Sequence, residues 1–487
     1  MSTSIEHAEC DSLPRFLKQL GDELERFLRF EHGDAMDEPE RWQNALRGPL
    51  PEQGVGIGPV IDEISRYLIP NGSKIPHPGF SSFITTGPTT LGALTSFTAS
   101  IAAPQRLGLT AFQFLEEQSL EWLGEMLSLP QHMKGIYSSG GSVANLVALG
   151  AARQWAFEQI GIDPARDGVL KPCRIYATAS SHHTIHRSAA VLGLGRNAVV
   201  AIKEDRDGRM CAADLQRQLT ADASTHYVPI AVVATAGTTG AGAIDPLRQL
   251  GDIARAHKVW FHVDGAYGLP GILDPSVTAL YDGLELADSV VVDPHKWLGA
   301  PIGIGATFVR DRDILHRAFT QGPADYLEGT ISEEKAQSSL DGLGIPYADF
   351  GVELSSPPRG AVVWALIKEI GKAGMRERIC RHNAMARLIA ERARAHPNLE
   401  VLREPTLSIC CFRYVSEKIE DLNAFNRSIH RQLLRNGKNM PSTTMIDGAL
   451  VIRPCFIGAR TLEHHAKELV DEVIAIGNKL TQNLSAS

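Results

Sequence analysis

The chain has 487 residues, 44% of them hydrophobic and 21% charged, which is the balance of an ordinary globular protein. Its formal net charge of −8, with no long basic run, argues against nucleic acid or an anionic membrane as a partner. No apolar run reaches the length of a membrane span, no secretory signal is recognisable and the seven cysteines are scattered, so we expect a reduced, cytoplasmic protein.

The predicted elements begin with a helix near residues 12–30, where apolar residues recur at helical spacing. From about residue 130, short β-rich runs alternate with helical patterns, and this alternation predicts a mostly parallel sheet covered by helices. The candidate strands are 174–180, 198–203, 230–237, 259–268, 289–293 and 305–311. From about residue 360, helical runs around two further β-rich segments indicate a smaller α/β domain.

One loop that follows a predicted strand is rich in small residues. In "YSSGGSVANL" (137–146), Gly140, Gly141 and Ser142 precede a good helix. Free N–H groups and the helix dipole at that position are typical of an anion-binding site. A serine N-cap after a tight glycine turn explains the same letters equally well, so both interpretations stay open.

Three further loops follow predicted strands and carry polar groups. The segment "VATAGTTG" ends in hydroxyl side chains that include Thr239, and "FHVDGAYG" places Asp264 after hydrophobic residues. In "VVDPHKWLGA", a hydrophobic strand stops at a proline and then presents Lys296. Taken singly, these are an ordinary turn, an Asx-turn and a surface lysine.

Taken together, the four loops favour one chemistry. Pyridoxal 5'-phosphate (PLP) needs an anion cradle for its phosphate, an acid beside its pyridine nitrogen and a lysine that binds its aldehyde. The first loop, Asp264 and Lys296 supply these three groups. Ligands of a parallel sheet bind at the carboxyl ends of its strands, where these loops gather.

The segment "SSHHTIHR" offers His182, His183 and His186. His182 and His186 are four residues apart and could share a helix face, as zinc ligands do. The glutamate of an HExxH motif is missing, and no cysteine or acidic cluster adjoins, so we expect no metal here. A histidine stacked on a pyridine ring fits the segment better.

From "HPGFSSFITTG" (77–87) to its C-terminal region, the sequence resembles the group II PLP-dependent amino acid decarboxylases, chiefly in "HVDGAYG", "DPHKW", "GGSVAN" and "AGTTG". The resemblance implies a PLP-dependent transferase-like fold of type I. It also implies an N-terminal helical dimerisation segment (1–85), a large PLP-binding domain (86–358) and a small C-terminal α/β domain (359–487). A homodimer that acts on a small-molecule amino acid is the expected assembly.

The resemblance also implies roles for individual residues. Lys296 would bind the cofactor aldehyde, Asp264 would face the pyridine nitrogen, and His182 and Ala266 would lie on the two faces of the ring. The phosphate would be surrounded by Gly141, Ser142, Thr239 and His295.

Other matching positions concern the substrate and the proton. Tyr326, in "GPADYLEGTISEE", would donate a proton to Cα, and a tyrosine there favours a simple decarboxylase. The candidates on the substrate side are Phe83, Thr86, Arg106 and Arg359. Asp293 departs from the family, since many members have asparagine before Pro-His-Lys, and it adds negative charge near the phosphate.

We therefore expect decarboxylation of an L-amino acid to the amine and CO2. Small residues where aromatic-specific members have aromatic ones put an aromatic substrate in doubt, and the sequence does not name the amino acid. Two alternatives remain open: an aldehyde synthase or Cα–Cβ lyase on the same scaffold, and a non-catalytic or metal-binding protein.

Overall fold

The computed structural model of this chain describes residues 5–30, 39–106, 110–320 and 345–486. Its contacts divide the chain into two compact units, Met1–His77 and Pro78–Ser487. The domain boundaries predicted at residues 85 and 358 stay a prediction. None of the described helices is long and apolar enough to cross a membrane.

The first unit is helical in its described part. Its helices are α1 (Ile5–Leu28), α2 (Pro39–Leu46) and α3 (Ile57–Glu63). The helix predicted near residues 12–30 is therefore present as α1. The Gln19 amide on α1 donates to Asp62 at 2.9 Å and to Ser65 at 3.4 Å, which joins the first helix to the end of the third.

The second unit alternates strands and helices. Its strands are β1 (Phe80–Ser81), β2 (Lys134–Ser138), β3 (Cys173–Thr178), β4 (Val199–Ile202), β5 (Val228–Thr235), β6 (Trp260–Asp264), β7 (Ser289–Val292), β8 (Gly305–Val309), β9 (Leu399–Arg403), β10 (Cys411–Tyr414), β11 (Met440–Ile446) and β12 (Ala449–Arg453). Its helices are α4 (Thr90–Ala102), α5 (Ala111–Met126), α6 (Gly141–Glu158), α7 (Thr184–Val191), α8 (Ala212–Asp222), α9 (Leu247–Ala256), α10 (Asp313–Phe319), α11 (Gly360–Arg394), α12 (Leu422–Asn436) and α13 (Glu463–Ala486).

The larger sheet has seven strands in the described ranges, in the order β2-β8-β7-β6-β5-β3-β4. The neighbouring pairs from β7 to β4 are parallel, and β8 runs antiparallel to both of its neighbours. All residues of β6, β7 and β8 are buried, although successive side chains point to opposite faces. Both faces of these strands are therefore covered, and the predicted mostly parallel sheet is confirmed.

The smaller sheet has five described strands in the order β1-β11-β12-β10-β9. The strands β9 to β12 come from the C-terminal part of the chain, and β12 is antiparallel to both β10 and β11. The short strand β1 pairs in parallel with β11, with Phe80 opposite Met440. The predicted C-terminal α/β region is thus present, but its sheet also takes in residues from before the large sheet.

Candidate active site

The carboxyl ends of β3, β5, β6 and β7 lie on one edge of the large sheet because these strands are parallel. A cavity of about 240 Å³ lies at this edge. Eight of the residues predicted from the sequence line it, namely Gly141, Ser142, His182, Thr239, Asp264, Ala266, His295 and Lys296. The structure therefore brings together every group that the sequence analysis assigned to the cofactor.

The glycine turn before α6 makes room on one side of this cavity. Gly140 has a φ of 118°, which favours glycine, and a Cβ on it would lie 3.1 Å from the His295 ring. A Cβ on Gly141 would lie 2.5 Å from Oδ2 of Asp293. His295 and Asp293 therefore pack too closely on the start of this 18-residue helix for side chains at the two glycines, and the free N–H groups there favour an anion.

Asp264 ends β6 with a buried carboxylate. Its Oδ2 accepts a hydrogen bond from Nδ2 of Asn145 at 3.2 Å, and its Oδ1 accepts one from the Ala266 N–H at 3.1 Å. One donor on each oxygen fixes the plane of the carboxylate. Because a carboxylate has about four acceptor positions, Asp264 can still accept a proton donor from the cavity.

Lys296 stands in the turn that follows β7. Its Nζ lies 3.0 Å from Oδ2 of Asp293, three residues earlier, and its side chain is 17% exposed. The neighbouring His295 ring is fixed by Nδ1, which donates to the Ile304 carbonyl at 2.6 Å. Burial lowers the pKa of His295, while Asp293, whose Oδ2 is 3.7 Å away, opposes this shift.

His182 lies in the loop between β3 and α7. Its Nδ1 is 2.7 Å from Oγ1 of Thr184, and burial lowers the pKa of its ring. A neutral ring held by this contact presents a flat surface to the cavity. His183 and His186 are exposed and do not line the cavity. Among the described residues, no group of three or more histidine, cysteine, aspartate or glutamate side chains could hold a metal ion.

Two substrate-side candidates, Phe83 and Thr86, lie in the segment that follows β1. Neither lines the cavity as described. Phe83 has a φ of 56° and a side chain that is 66% exposed, and its carbonyl accepts a hydrogen bond from Arg453. Thr86 donates to the Gly87 carbonyl at 3.2 Å. Their contact with a substrate stays a prediction.

The two arginine candidates are buried and already have partners. Arg106 donates to the carbonyls of Tyr137 and Glu353 at 3.2 and 3.0 Å. Arg359 forms an ion pair with the Glu353 carboxylate at 2.7 Å and donates to the Gly303 carbonyl at 2.9 Å. Neither arginine lines the cavity, so this placement gives both of them a structural role. A contact between either guanidinium and a substrate stays a prediction that this geometry does not support.

Several residues that line the cavity were not assigned to the site by the sequence analysis. The unassigned cavity residues include Asn145, Thr235, Asp293, Tyr267 and Ile302. Asn145, Thr235, Tyr267 and Asp293 lie in or beside the motifs quoted above, which was the signal available for them, whereas Ile302 lies in none of these motifs. Tyr326 lies outside the described residues.

The cavity fits a polar, anionic cofactor such as PLP. Oγ1 of Thr235 and Oδ1 of Asp293 are buried there without a hydrogen-bond partner among the described residues. Buried polar atoms normally have partners, so such atoms beside a cavity point to a polar occupant. The glycine turn at α6, the carboxylate of Asp264 and the amine of Lys296 match the phosphate, the ring nitrogen and the aldehyde of PLP.

The fold and this site define a PLP-binding α/β enzyme, and comparison with known proteins agrees. The profile of the pyridoxal-dependent decarboxylase conserved domain matches residues 39–415. An aromatic-L-amino-acid decarboxylase of Bacillus atrophaeus is 28% identical, over 90% of this chain and 89% of the relative. An L-2,4-diaminobutyrate decarboxylase of Rhizobium meliloti is 31% identical, over 87% of this chain and 83% of the relative.

Aldehyde synthases also occur among the relatives, such as phenylacetaldehyde synthase of Arabidopsis thaliana, which is 26% identical over 88% of each chain. Among solved structures, Oryza sativa TDC with PLP and tryptamine superposes with a TM-score of 0.87 at 24% identity, over 97% of this chain and 98% of that chain. This likeness confirms the type I fold.

The chain belongs to the pyridoxal-dependent decarboxylase family. It is a PLP-dependent enzyme that decarboxylates an amino acid, as the sequence analysis predicted.

Proposed function

We propose that this enzyme converts an L-amino acid to the corresponding amine and CO2, with Lys296 as the residue that binds the cofactor aldehyde. The observation that carries the proposal is the convergence of Lys296, Asp264 and His182 on one cavity. The amine of Lys296, the carboxylate of Asp264 and the neutral ring of His182 come from three different strand ends. Their meeting is hard to explain by packing alone.

When it is bound, PLP supplies a protonated ring that accepts the electron pair left at Cα as CO2 departs. The carboxylate of Asp264 would keep the ring nitrogen protonated, since an anion beside it favours its charged form. The phosphate would be held at the start of α6 by Gly141 and Ser142, together with Thr239 and His295. His182 and Ala266 would cover the two faces of the ring and limit the access of water.

The side chains around Lys296 would control its charge and its reach. Before the cofactor binds, Asp293 holds the amine in place at 3.0 Å. The amine would have to leave this carboxylate to reach the cofactor aldehyde. Tyr326 would deliver the proton to Cα, and this role rests on the resemblance to the family.

The substrate belongs to the class of L-amino acids, and the names of the relatives suggest a panel to test. It contains aromatic amino acids, L-2,4-diaminobutyrate and cysteine sulfinic acid. Release of CO2 from each, measured at one enzyme concentration, would identify the preferred side chain.

An aldehyde product is the second candidate, because aldehyde synthases are among the relatives. Such a product requires consumption of oxygen and release of ammonia and peroxide. A stoichiometric amine without oxygen consumption would reject it.

We also propose that the enzyme is a cytoplasmic homodimer. The cysteines whose side chains the structure describes carry free thiols, which suits a reducing compartment. Leu94, Phe97 and Ile101, at helical spacing on α4, expose 57%, 40% and 56% of their surfaces, which suits a face that a second copy covers. Multi-angle light scattering on the purified enzyme would test the dimer, and a monomer at micromolar concentration would contradict it.

The variant Lys296→Ala tests the cofactor assignment. It should lose turnover and the visible absorbance of lysine-bound PLP, while the circular dichroism spectrum stays close to that of the wild type. Lys171→Ala is a matched control, because Lys171 is exposed just before β3, at the sheet edge opposite the cavity. Substantial turnover by Lys296→Ala would overturn the assignment.

A further inference from the structure

A row of buried side chains runs from the interior of the large sheet to Asp264. Trp260 on β6, Ser289 on β7, His262 on β6 and Asn145 on α6 follow one another in this row, and all are buried. The heavy-atom distances from the indole nitrogen to the Ser289 hydroxyl, on to His262 and on to Asn145 are each 2.8 Å. The last step, from the Asn145 amide to Asp264, is 3.2 Å.

The two ends of this row fix the direction of every hydrogen bond in it. At one end, the Asp264 carboxylate can only accept, so the amide nitrogen of Asn145 donates to it. Oδ1 of Asn145 must then accept from Nε2 of His262, which places the proton of the neutral ring on Nε2. Nδ1 of His262 therefore accepts from the Ser289 hydroxyl, which itself accepts from the Trp260 indole at the other end.

His262 must be neutral for this arrangement to hold. A charged imidazole would donate from both nitrogens, and the Ser289 hydroxyl would then receive two donors with no acceptor for its own proton among the described residues. Complete burial lowers the pKa of His262 to about 4, against the opposing effect of Asp264. At neutral pH the ring is therefore uncharged, and the row stays intact.

We propose that Trp260, Ser289, His262 and Asn145 are positioning residues that act through Asp264 on the electron-accepting strength of the bound cofactor. The inference rests on the proposed role of Asp264 toward the ring nitrogen. Hydrogen bonds aligned in one direction polarise one another, so the whole row presents its positive end to Oδ2 of Asp264. The row keeps the carboxylate in one orientation, while Ala266 holds the other oxygen.

Ser289→Ala is the sharpest test, because Ser289 does not line the cavity and its hydroxyl is linked to Asp264 through His262 and Asn145. We expect the affinity of the apoenzyme for PLP to fall roughly 10-fold, which is the loss typical of removing an outer hydrogen-bond partner. kcat should fall by a similar factor with KM nearly unchanged, since the electron sink matters most in the transition state. Trp260→Phe, which removes the first donor together with part of the ring, should shift both quantities in the same direction by less.

Asn383→Ala is the matched control. Asn383 is a completely buried amide that donates to Asp274 at 2.8 Å, and neither residue lines the cavity. This variant should lower the melting temperature as Ser289→Ala does, yet leave PLP affinity and kcat at the wild-type level. Ser289→Thr keeps the hydroxyl and should restore the PLP affinity even where its extra methyl group lowers the melting temperature.

The outcomes separate the inference from the proposed function. If Ser289→Ala and Trp260→Phe lose only stability while Asp264→Ala loses PLP affinity, the positioning role is wrong and the role of Asp264 stands. If Asp264→Ala also keeps wild-type PLP affinity and absorbance, the proposed role of Asp264 fails, and the inference fails with it.

Discussion

The amine of Lys296 lies 3.0 Å from a carboxylate oxygen of Asp293, and the same oxygen lies 2.5 Å from where a Cβ on Gly141 would stand. One buried carboxylate is thus shared between the lysine and the start of α6. The lysine gains a counter-ion from it, whereas an anion bound at α6 would meet a like charge. This conflict leads to the first prediction.

Asp293→Asn should bind PLP more tightly than the wild type. Removing a unit charge a few ångströms from a phosphate should stabilise the complex by about 1.4 kcal/mol, which corresponds to roughly 10-fold in affinity. This value is at the low end of the interaction energies expected for two charges at such a distance. Fluorescence titration of the apoenzyme with PLP at neutral pH measures the effect. Asp282→Asn, in an exposed ion pair with Arg248, should leave the affinity unchanged. Equal or weaker binding by Asp293→Asn would show that the counter-ion role outweighs the repulsion.

Gly141→Ala should weaken PLP binding and turnover by at least roughly 10-fold, because the added methyl group would stand 2.5 Å from Asp293 and would displace either that carboxylate or the start of α6. Gly21→Ala is the control, since a Cβ on this residue of α1 meets nothing within 4 Å. The control should keep its affinity for PLP. Its free energy of unfolding should rise by about 1 kcal/mol, because alanine has a higher helix propensity than glycine. Equilibrium dialysis against PLP gives the comparison, and retained affinity in Gly141→Ala would exclude a phosphate at this turn.

Tyr326→Phe should retain PLP binding and CO2 release but form amine more slowly and divert product toward aldehyde. The phenol is the proposed proton donor to Cα, and a delayed proton leaves time for oxygen to react. Tyr227→Phe removes a phenol just before β5, at the opposite edge of the sheet, and should change neither quantity. The measurement is the ratio of amine to aldehyde, together with oxygen consumption, in the wild type and in the variant. An unchanged ratio and rate in Tyr326→Phe would assign the proton to another group.

Glu116→Gln should change how stability depends on pH. Burial raises the pKa of Glu116 to about 7 in the folded chain, against an ordinary value of 4.5. From about pH 4.5 to 7 the unfolded chain gives up this proton while the folded chain retains it, so the wild type loses stability as pH rises through this window. Glutamine does not titrate. Between pH 4.5 and 8, the free energy of unfolding of the variant should therefore rise by up to about 3 kcal/mol relative to that of the wild type.

Urea unfolding of the wild type and Glu116→Gln at pH 5 and pH 8 measures this difference. Glu125→Gln, on the exposed side of the same helix, should shift stability equally at both pH values. If Glu116→Gln behaved like Glu125→Gln, Glu116 would be ionised throughout the window.

The strands and the cofactor site could be predicted from the sequence because their signals are local. The run ending in Asp264 and the run before Lys296 are uninterrupted β-formers, and each is followed by a polar group where parallel strands end. All eight predicted cofactor residues line one cavity for this reason.

The remaining site residues depend on contacts between distant segments. Asn145 lies on the fifth position of an ordinary helix, and His262 looks like a polar interruption in a strand, so neither suggests a link to Asp264 until the helix packs on the sheet. Arg106 and Arg359 could be recognised as cations, but their bonds to Glu353 come from a segment that no pattern connects to them.

The pairing of β1 with β11 has a consequence for how the chain is synthesised. Phe80 emerges from the ribosome early, whereas Met440, its partner, is made hundreds of residues later. Until β11 has been made, β1 has no strand to pair with. The pairing itself is slow, because it closes a long loop between the two strands. A fragment that begins near residue 360 would in turn leave the β1 side of β11 open to pairing with other chains. The smaller sheet is therefore completed only when nearly the whole chain has been released, and aggregation during expression should be most severe for truncated forms.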